Sequence, residues 1–514
     1  MSQDQADDQA DDQVDSVSTP VAPVVPRWEW RCFGDLANAD RVLTQLRATP
    51  AAASDETYLL SRSRDASVKI RAGLLDLKTL RRIDGTGLQL WAPVLKAPFP
   101  VGEATAATVF EALGLPTPRR PRYTYDELVR EALGARDDVR VLDVHKARHR
   151  SVLDGCMIEY TELTADGRTV GTVAVESPDS ELVVDTVRRL GLDDRTNTCV
   201  AEGLRSLLGW EPPRLAVVDV GTNSVKLTVG DGRDGVPLPD RDAAVVTRLG
   251  EGQSEAGLLQ AEPMRRTAGA IARLVDGLRA EGPTRILAVG TAGLRQAPNR
   301  DVLLDLVRAR SDVVVQVISG PEEARLAYRA AVSSLPRTDG RLLVFDSGGG
   351  SSQFTSGSLE AIEEQFSLDV GAVGITERFA LAEAVPRESV DAALAAIEAE
   401  FDRVRSRSRP DAVIGIGGTS TNLAAVSRGL TAYDPDIVHG TVLGVAEVDR
   451  QIELYRRRTT QERRGIAGLQ PARAAVILAG ACIVRTILAI AGLDELTVSD
   501  RGLRHGVLAE RSGT

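Results

Sequence analysis

Two short segments of the chain combine an aspartate, a turn of small residues and a serine in the same order. The first supplies Asp219, Gly221, Thr222, Asn223 and Ser224. The second supplies Asp346, Gly348, Gly349, Gly350 and Ser351. A turn of this kind points backbone N–H groups outward, which suits a phosphate, and an aspartate at a strand end can hold a metal ion beside that phosphate. The two segments therefore predict phosphate-handling chemistry.

The repetition extends beyond the loops. Residues 216–230 and 343–357 correspond position by position, each with an apolar strand before the turn and a second strand after it. Such a repeat indicates duplication, and we expect the two halves to face each other across one cleft. In the alternative interpretation each segment is a hairpin whose glycines only supply positive φ. The Asp and Ser shared by both copies favour the phosphate interpretation.

Two charged side chains outside the loops are candidates for catalysis. Glu323 begins a predicted helix after a strand at 313–318, and it could act as a general base toward the water that attacks phosphorus. Its neighbour Glu322 has a simpler explanation, a capping box with Ser319. Arg295 follows a predicted strand at 285–289, where it could neutralise transferring phosphate oxygens. The alternative for Arg295 is a solvated loop residue.

The elements that must position these residues change character along the chain. From residue 214 onward strands alternate with helices, which indicates an α/β fold. We divide this part into a first lobe at 214–335 and a second lobe with C-terminal helices at 341–514. A separate unit with several strand-like runs spans 27–210, before a Pro-Pro boundary. Residues 1–25 form an acidic tail without compensating cations, which we expect to be disordered.

Composition limits the partners and the compartment. A chain of 514 residues with 43% apolar and 26% charged residues is typical of globular proteins with several domains. Its formal charge of −11 argues against nucleic acid or an anionic membrane as a general partner. The four cysteines lack C-x-x-C spacing, so we expect neither a zinc site nor disulfides. With no signal-peptide pattern or uncharged spanning run, we expect a cytoplasmic protein.

Six motifs occur in the order typical of one family. They are Val-Asp-Val-Gly-Thr-Asn-Ser, Val-Gly-Thr-Ala-Gly-Leu-Arg, Ile-Ser-Gly-Pro-Glu-Glu-Ala-Arg, Phe-Asp-Ser-Gly-Gly-Gly-Ser, Ile-Gly-Gly-Thr and Thr-Val-Ser-Asp-Arg-Gly-Leu-Arg. Over 214–511 the chain resembles the exopolyphosphatase / guanosine pentaphosphate phosphohydrolase family, a branch of the actin–Hsp70–sugar kinase superfamily. The resemblance implies two ribonuclease-H-like lobes, Mg²⁺, and release of a terminal phosphate from inorganic polyphosphate or of the 5′ γ-phosphate from guanosine pentaphosphate.

The resemblance also assigns roles. Glu323 would be the general base, Asp346 a metal ligand together with Asp219, and Arg295 and the two serine loops would grip phosphates. A third turn, which includes Gly417, Gly418 and Thr419, would lie on the nucleotide side and contribute to phosphate binding. One position departs from the family pattern Asp-x-Gly-Gly-Gly-Ser-x-Glu, because Gln353 replaces the final Glu that helps to hold Mg²⁺. A neutral amide can still bind Mg²⁺ but with one charge fewer, so we expect weaker metal binding.

The first unit resembles a CYTH, or triphosphate-tunnel, domain, which closes an antiparallel barrel around triphosphate. Lys69 and Arg71 have the i, i+2 spacing that places both in one lumen, and Lys96 and Arg148 would join them. The acidic start of that family is broken, since Arg27 stands where a Glu is usual. This pattern favours a domain that holds polyphosphate without cleaving it. The alternative is an exposed, salt-bridged sheet.

Two functions from different classes follow. The first is a Mg²⁺-dependent exopolyphosphatase, or guanosine pentaphosphate phosphohydrolase, whose CYTH-like domain captures the polyanion. The second is a polyphosphate- or alarmone-binding regulator with little turnover, which the substitution at Gln353 favours. A homodimer is common in the family that the chain resembles.

Overall fold

The computed structural model describes residues 25–34, 36, 50–134, 137–210, 214–233, 236–253, 257–282, 284–336, 340–401 and 409–511. The predicted tail at 1–25, except its last residue, lies outside these ranges, as do the two prolines of the predicted boundary. Among the described residues, no helix has both the length and the apolar character needed to cross a membrane. The four cysteines are buried and form no disulfide.

The first unit contains eight long strands. Their bounds are β1 Arg27–Gly34, β2 Ala52–Ser61, β3 Ser67–Arg71, β4 Leu74–Ile83, β5 Gln89–Pro98, β8 Val139–Leu153, β9 Cys156–Ala165 and β10 Arg168–Ser177. They close into an antiparallel barrel in the order β1, β10, β9, β8, β2, β3, β4, β5. The predicted CYTH-like antiparallel barrel is therefore confirmed. Strand β8 contains the predicted barrel residue Arg148, and its buried positions include Lys146 and Arg148 rather than apolar residues alone.

Helices cover the outside of this barrel. They are α1 Glu103–Leu113, α2 Tyr125–Leu133, α3 Ser180–Arg189 and α4 Val200–Leu208, with a small ribbon of β6 Val101–Gly102 and β7 Arg122–Tyr123. Phe110 of α1 packs against Leu59 and Leu75 on the barrel's outer face, and Val183 of α3 packs in a second cluster with Trp30. Because side chains alternate along a strand, these outward apolar residues leave the inward positions to polar ones.

The first lobe is built on a five-stranded sheet of order β13, β12, β11, β14, β15. Its elements are β11 Leu215–Val220, β12 Ser224–Arg233, β13 Val236–Val246, α5 Ala261–Glu281, β14 Arg285–Gly290, α6 Ala292–Arg295, α7 Arg300–Ser311, β15 Val315–Val317 and α8 Gly320–Ser333. The hairpin of β11 and β12 is antiparallel, whereas β14 runs parallel to β11.

The second lobe has a six-stranded sheet of order β18, β17, β16, β19, β21, β20. Its strands are β16 Leu342–Ser347, β17 Ser352–Gly357, β18 Ile362–Leu368, β19 Ala412–Ile416, β20 Val442–Gly444 and β21 Glu495–Val498. Its helices are α9 Ala372–Phe379, α10 Arg387–Glu400, α11 Gly417–Ser427, α12 Pro435–Val438, α13 Val445–Arg456, α14 Thr460–Arg463 and α15 Ile477–Ala491, followed by α16 Leu503–Arg511.

The two sheets repeat one arrangement, an antiparallel hairpin beside a parallel strand, which confirms the predicted pair of ribonuclease-H-like lobes. One predicted boundary needs correction. We placed all residues of 341–514 in the second lobe, but Val507 and Leu508 of α16 are buried with Leu215 and Val217 of the first. The last helix therefore completes the core of the first lobe and ties the chain's end to it.

Candidate functional site

The two predicted phosphate loops share an equivalent backbone hydrogen bond. In the first, the N–H of Gly221 donates to the carbonyl oxygen of Ser224 at 3.1 Å, and in the second Gly348 donates to Ser351 at 2.9 Å. Asp219 precedes the first loop at the end of β11, and Asp346 precedes the second near the end of β16. The sequence repeat therefore corresponds to a repeat in three dimensions.

Parallel pairing gathers the other predicted residues at the same sheet edges. Asp219 pairs in register with Val289 of β14, and helix α6, which ends in Arg295, follows that strand. Asp346 pairs with Ile416 of β19, after which Gly417 opens α11. Because the carboxyl ends of parallel strands meet at one edge, both loops lie beside a helix start, where ligands of open α/β sheets bind.

Glu323 and Arg295 form a direct ion pair. Arg295 Nη1 lies 2.7 Å from Glu323 Oε2 and also donates to the carbonyl of Ile318 at 3.1 Å. Both side chains are partly exposed. Glu322, one residue earlier, pairs instead with Arg325 at 2.7 Å. Its backbone N–H donates to the Ser319 hydroxyl at 3.2 Å, so the cap is present, but the Glu322 carboxylate is engaged elsewhere.

The charges of two aspartates, one from each lobe, act on Glu323. Burial raises the pKa of Glu323, Arg295 opposes this shift, and the charges of Asp219 and Asp346 add to it. Burial likewise raises the pKa values of Asp219 and Asp346. Nearby like charges favour the protonated form of a carboxyl group. The structure thus brings the predicted base and the two predicted metal ligands together.

Lys226, Arg473 and Arg504 offset this negative charge, and the sequence analysis missed all three. Lys226 opposes the raised pKa of Asp219 and of Asp346, Arg504 acts on Asp219, and Arg473 acts on Asp346. The repeat contained the signal for Lys226. Lys226 pairs in register with Asp219, at the position where Gln353 pairs with Asp346.

Part of this constellation could hold a metal ion. Asp219 Oδ1 is buried and has no hydrogen-bond partner in the described structure. A methyl group at Gly417, where φ is +77°, would overlap Asp346 Oδ1, so the glycine leaves that carboxylate its room. Among the described residues no cluster of three or more His, Cys, Asp or Glu could hold a metal. Mg²⁺ often binds through one or two carboxylates with water and substrate phosphates, and two aspartates fit that pattern.

The third turn, at Gly417, Gly418 and Thr419, opens α11. The Thr419 side chain is buried and donates to the carbonyl of Ser347 at 2.8 Å, so it is turned away from the cleft. We predicted Thr419 as a phosphate-binding residue, and its side chain does not suit that role. Gly418 lies against the guanidinium of Arg473, which any larger residue at 418 would displace.

Glu56 on β2 is the centre of the ion-pair network inside the barrel, and the sequence analysis missed it. Its carboxylate lies 3.7 Å from Lys69, 3.5 Å from Arg71 and 3.3 Å from Lys146, and it accepts a hydrogen bond from Arg148. Burial opposes ionisation, but Lys146, Lys69 and Arg148 outweigh it and lower the pKa of Glu56 to about 2. Three of the four predicted tunnel cations therefore share one protein carboxylate.

Lys96 is the exception among the predicted tunnel cations. It pairs in register with Asp76, which in turn pairs with Lys69, so the three residues share one face of the barrel wall. Lys96 is exposed, however, and makes no ion pair with any residue that the structure describes. It lies apart from the Glu56 network.

A second group of carboxylates in the barrel lies on β1 and β10. Glu29 and Glu176 pair directly across β1 and β10. Arg31 Nε donates to Glu29 at 2.7 Å, and burial followed by the charge of Glu29 raises the pKa of Glu176. The two glutamates are therefore neighbours in space, and the buried Arg31 balances their charge.

Two ribonuclease-H-like lobes with matching Asp-and-serine loops around a Glu–Arg pair define a phosphate-handling protein of the actin–Hsp70–sugar kinase type. The model of the Ppx/GppA phosphatase family matches residues 241–513, and the chain belongs to this family. It is 30% identical over 325 residues to "Exopolyphosphatase 2" of Mycobacterium tuberculosis, which covers 58% of this chain and 99% of that protein.

Solved structures show the same likeness. The crystal structure of the Aquifex aeolicus family member shares 33% identity at a TM-score of 0.53, covering 58% of this chain and 96% of that one. The structure of an exopolyphosphatase from Cytophaga hutchinsonii shares 25% identity at a TM-score of 0.52, covering 58% and 98%. The family match lies wholly C-terminal to the barrel.

Gly371 provides a test of how the second loop is held. The N–H groups of Ala372 and Val373 donate to the carbonyls of Gly348 and Gly349 at 3.0 and 2.8 Å, and a methyl group at Gly371 would overlap the carbonyl of Gly349. We expect Gly371→Ala to push the loop away and to lower the free energy of unfolding by about 1–3 kcal/mol.

Urea denaturation measures this change, and Gly374→Ala is the matched control. Gly374 lies in α9, the helix that Gly371 precedes, and has open space around it. Alanine at this position should therefore stabilise the protein by up to about 1 kcal/mol. Equal stability changes for the two variants would contradict the proposed contact.

Proposed function

We propose that this chain is a Mg²⁺-dependent exopolyphosphatase that releases the terminal phosphate of inorganic polyphosphate. The observation that carries the proposal is the Arg295–Glu323 pair facing Asp219 and Asp346 beside both phosphate loops. Membership of the Ppx/GppA phosphatase family and the printed names of relatives, such as "Exopolyphosphatase 2", support it. Guanosine pentaphosphate, the other substrate that the sequence resemblance implies, would present the same terminal phosphate to the site.

Each residue has a role that follows from its position. Glu323 accepts a proton from the attacking water, and the backbone N–H groups of the two loops bind the phosphates. Arg295 holds Glu323 before substrate binds and stabilises phosphate oxygens when the charge on them develops. Asp219 and Asp346 would hold Mg²⁺, which would neutralise charge on the phosphates when bound.

Glu323→Gln tests the proposed base. We expect phosphate release from long-chain polyphosphate to fall by about 10²–10⁴-fold, because the amide cannot accept the proton. Since burial raises the pKa of Glu323, the activity of the unmodified protein should decline on acidification at a higher pH than for an ordinary glutamate. Initial rates across a pH series with excess Mg²⁺ measure both effects.

Glu322→Gln is the control for that substitution. Glu322 is adjacent in sequence but is paired with Arg325, so its loss should leave the rate within about twofold. If Glu323→Gln and Glu322→Gln had equal rates, Glu323 would not be the base. Separate assays with guanosine pentaphosphate would identify the preferred substrate.

A second function, a polyphosphate-binding regulator with little turnover, is favoured by the residues opposite the two aspartates. Lys226 and Gln353 occupy equivalent positions, so neither strand partner adds a carboxylate to the proposed metal site. With only two carboxylates, Mg²⁺ would be held weakly. In this interpretation the protein would bind polyphosphate tightly and release phosphate very slowly.

Gln353→Glu distinguishes the two functions. Restoring a carboxylate beside Asp346 should lower the Mg²⁺ concentration needed for half-maximal phosphate release by about tenfold. Gln365→Glu, which adds the same charge on β18 opposite Thr355, is the control and should leave that concentration unchanged. A protein that is inactive at saturating Mg²⁺ and gains activity only with Gln353→Glu would be the low-turnover regulator.

The barrel is proposed to hold the polyanion without cleaving it. Lys69, Arg71 and Arg148 face the lumen, where Glu56 takes the place that an anionic ligand would occupy. A polyphosphate chain would therefore have to compete with Glu56 for these cations. Burial lowers the pKa of Lys146 to about 7, which further limits the positive charge available near neutral pH.

Glu56→Gln tests this competition. Loss of the carboxylate should strengthen polyphosphate binding by about tenfold while lowering the free energy of unfolding by about 3–5 kcal/mol, because buried cations lose their partner. Binding isotherms and urea denaturation of the full chain measure the two effects. Glu162→Gln, an exposed residue of β9, should change neither. Weaker or equal binding in Glu56→Gln would mean that polyphosphate does not enter this network.

A further inference from the structure

A cavity of about 170 Å³ lies between the barrel and the first lobe. The barrel side contributes residues near the ends of β2, β4 and β5, and the lobe contributes α5, β14 and the segment that leads into β15. Drug-sized ligands usually occupy pockets of about 300–1,000 Å³, so this cavity suits a smaller molecule. Its lining includes no aromatic side chain on which a nucleobase could stack.

Ion pairs join the two domains around this cavity. Arg285, the first residue of β14, bonds to Glu202 of the barrel unit, and Arg64 of the barrel unit bonds to Asp312 of the lobe. The Asp65 carboxylate is engaged by the buried Arg205. Each carboxylate in the lining therefore already has a guanidinium partner.

Two arginines retain unused donors. The Arg285 side chain is 9% exposed, and its Nε is buried without a hydrogen-bond partner. Arg279 of α5 also lines the cavity, and it makes no hydrogen bond or ion pair with any described residue. Burial lowers the pKa of Arg279 below its usual value, the charge of Arg64 adds to this shift, and the charges of Asp312 and Asp276 oppose it. A buried donor without a partner is unfavourable, and an incoming acceptor would remove that cost.

We infer that this cavity binds a small tetrahedral oxyanion, orthophosphate, between Arg279 and Arg285 and thereby stabilises the contact of the barrel with the first lobe. Guanidinium groups bind phosphate through paired N–H donors, and a small anion fits the volume. Orthophosphate is also what a phosphatase releases. The site differs from the catalytic cleft, since Arg285 begins β14 and the cleft lies at its other end, about 16 Å along the strand.

Phosphate binding to the full chain tests the inference, and it does not depend on the exopolyphosphatase proposal. Isothermal titration should find one more orthophosphate site in the unmodified protein than in Arg279→Gln, whether or not the cleft also binds orthophosphate. This second site should be retained in Arg273→Gln, which changes an exposed arginine of the same helix. Arg279→Lys keeps the charge but not the paired donors, so it should weaken the second site by about tenfold.

Hydrogen exchange locates the second site. Orthophosphate should slow exchange in β4, β14 and β15 of the unmodified protein and of Arg273→Gln, but not of Arg279→Gln. Equal stoichiometry and equal protection in Arg279→Gln would overturn the inference. Protection of these strands by tripolyphosphate alone would also overturn it, since the ligand would then be a chain end rather than free orthophosphate.

Discussion

The catalytic half of the structure depends on one electrostatic constraint, the approach of three carboxylates from two lobes. Asp219, Glu323 and Asp346 each have a raised pKa because burial disfavours their charge. The charges of Asp219 and Asp346 add to this effect at Glu323. Lys226 opposes it for both aspartates and Arg295 for Glu323, so the cleft is a place where added positive charge is stabilised.

In the barrel the signs of the buried charges are reversed. A single carboxylate, Glu56, pairs with several cations, so the protein itself supplies both the negative and the positive charges of the network. Breaking such a network costs more than forming it gains, because the remaining charges stay buried. A ligand that displaced Glu56 from its cations would therefore lower the stability of the barrel. In the cleft, by contrast, one carboxylate oxygen of Asp219 has no hydrogen-bond partner in the described structure.

The chain connects these two sites through the first lobe. Strand β14 begins at the interdomain contact with Arg285 and ends beside the turn that leads to Arg295. Helix α16, which comes from the end of the chain, packs against the sheet of the same lobe. The residue that contacts the barrel and the turn that leads to Arg295 therefore lie at opposite ends of one strand, β14. Packed protein interiors have low compressibility and transmit strain.

Much of the site could be predicted because its loop is repeated and because the residues within each loop are adjacent in sequence. The Asp-and-serine loops, the turn at Gly417 and Glu323 follow strands whose apolar pattern is clear, and the carboxyl ends of such strands meet at one edge. Glu56, Arg473 and Arg504 could not be found in this way. Their partners come from distant parts of the chain, and β2 and β8 carry charges at positions where a strand pattern expects apolar residues.

The sequence by itself determined the fold class, the duplicated loops and the family, since these depend on local spacing and on the order of motifs. Only the tertiary structure decided which charges meet. It turned the Thr419 hydroxyl into the protein, left Lys96 exposed, gave α16 to the first lobe and placed Glu56 among the barrel's cations. The physical reason is that burial and ion pairing depend on distance in space, which local sequence patterns do not contain.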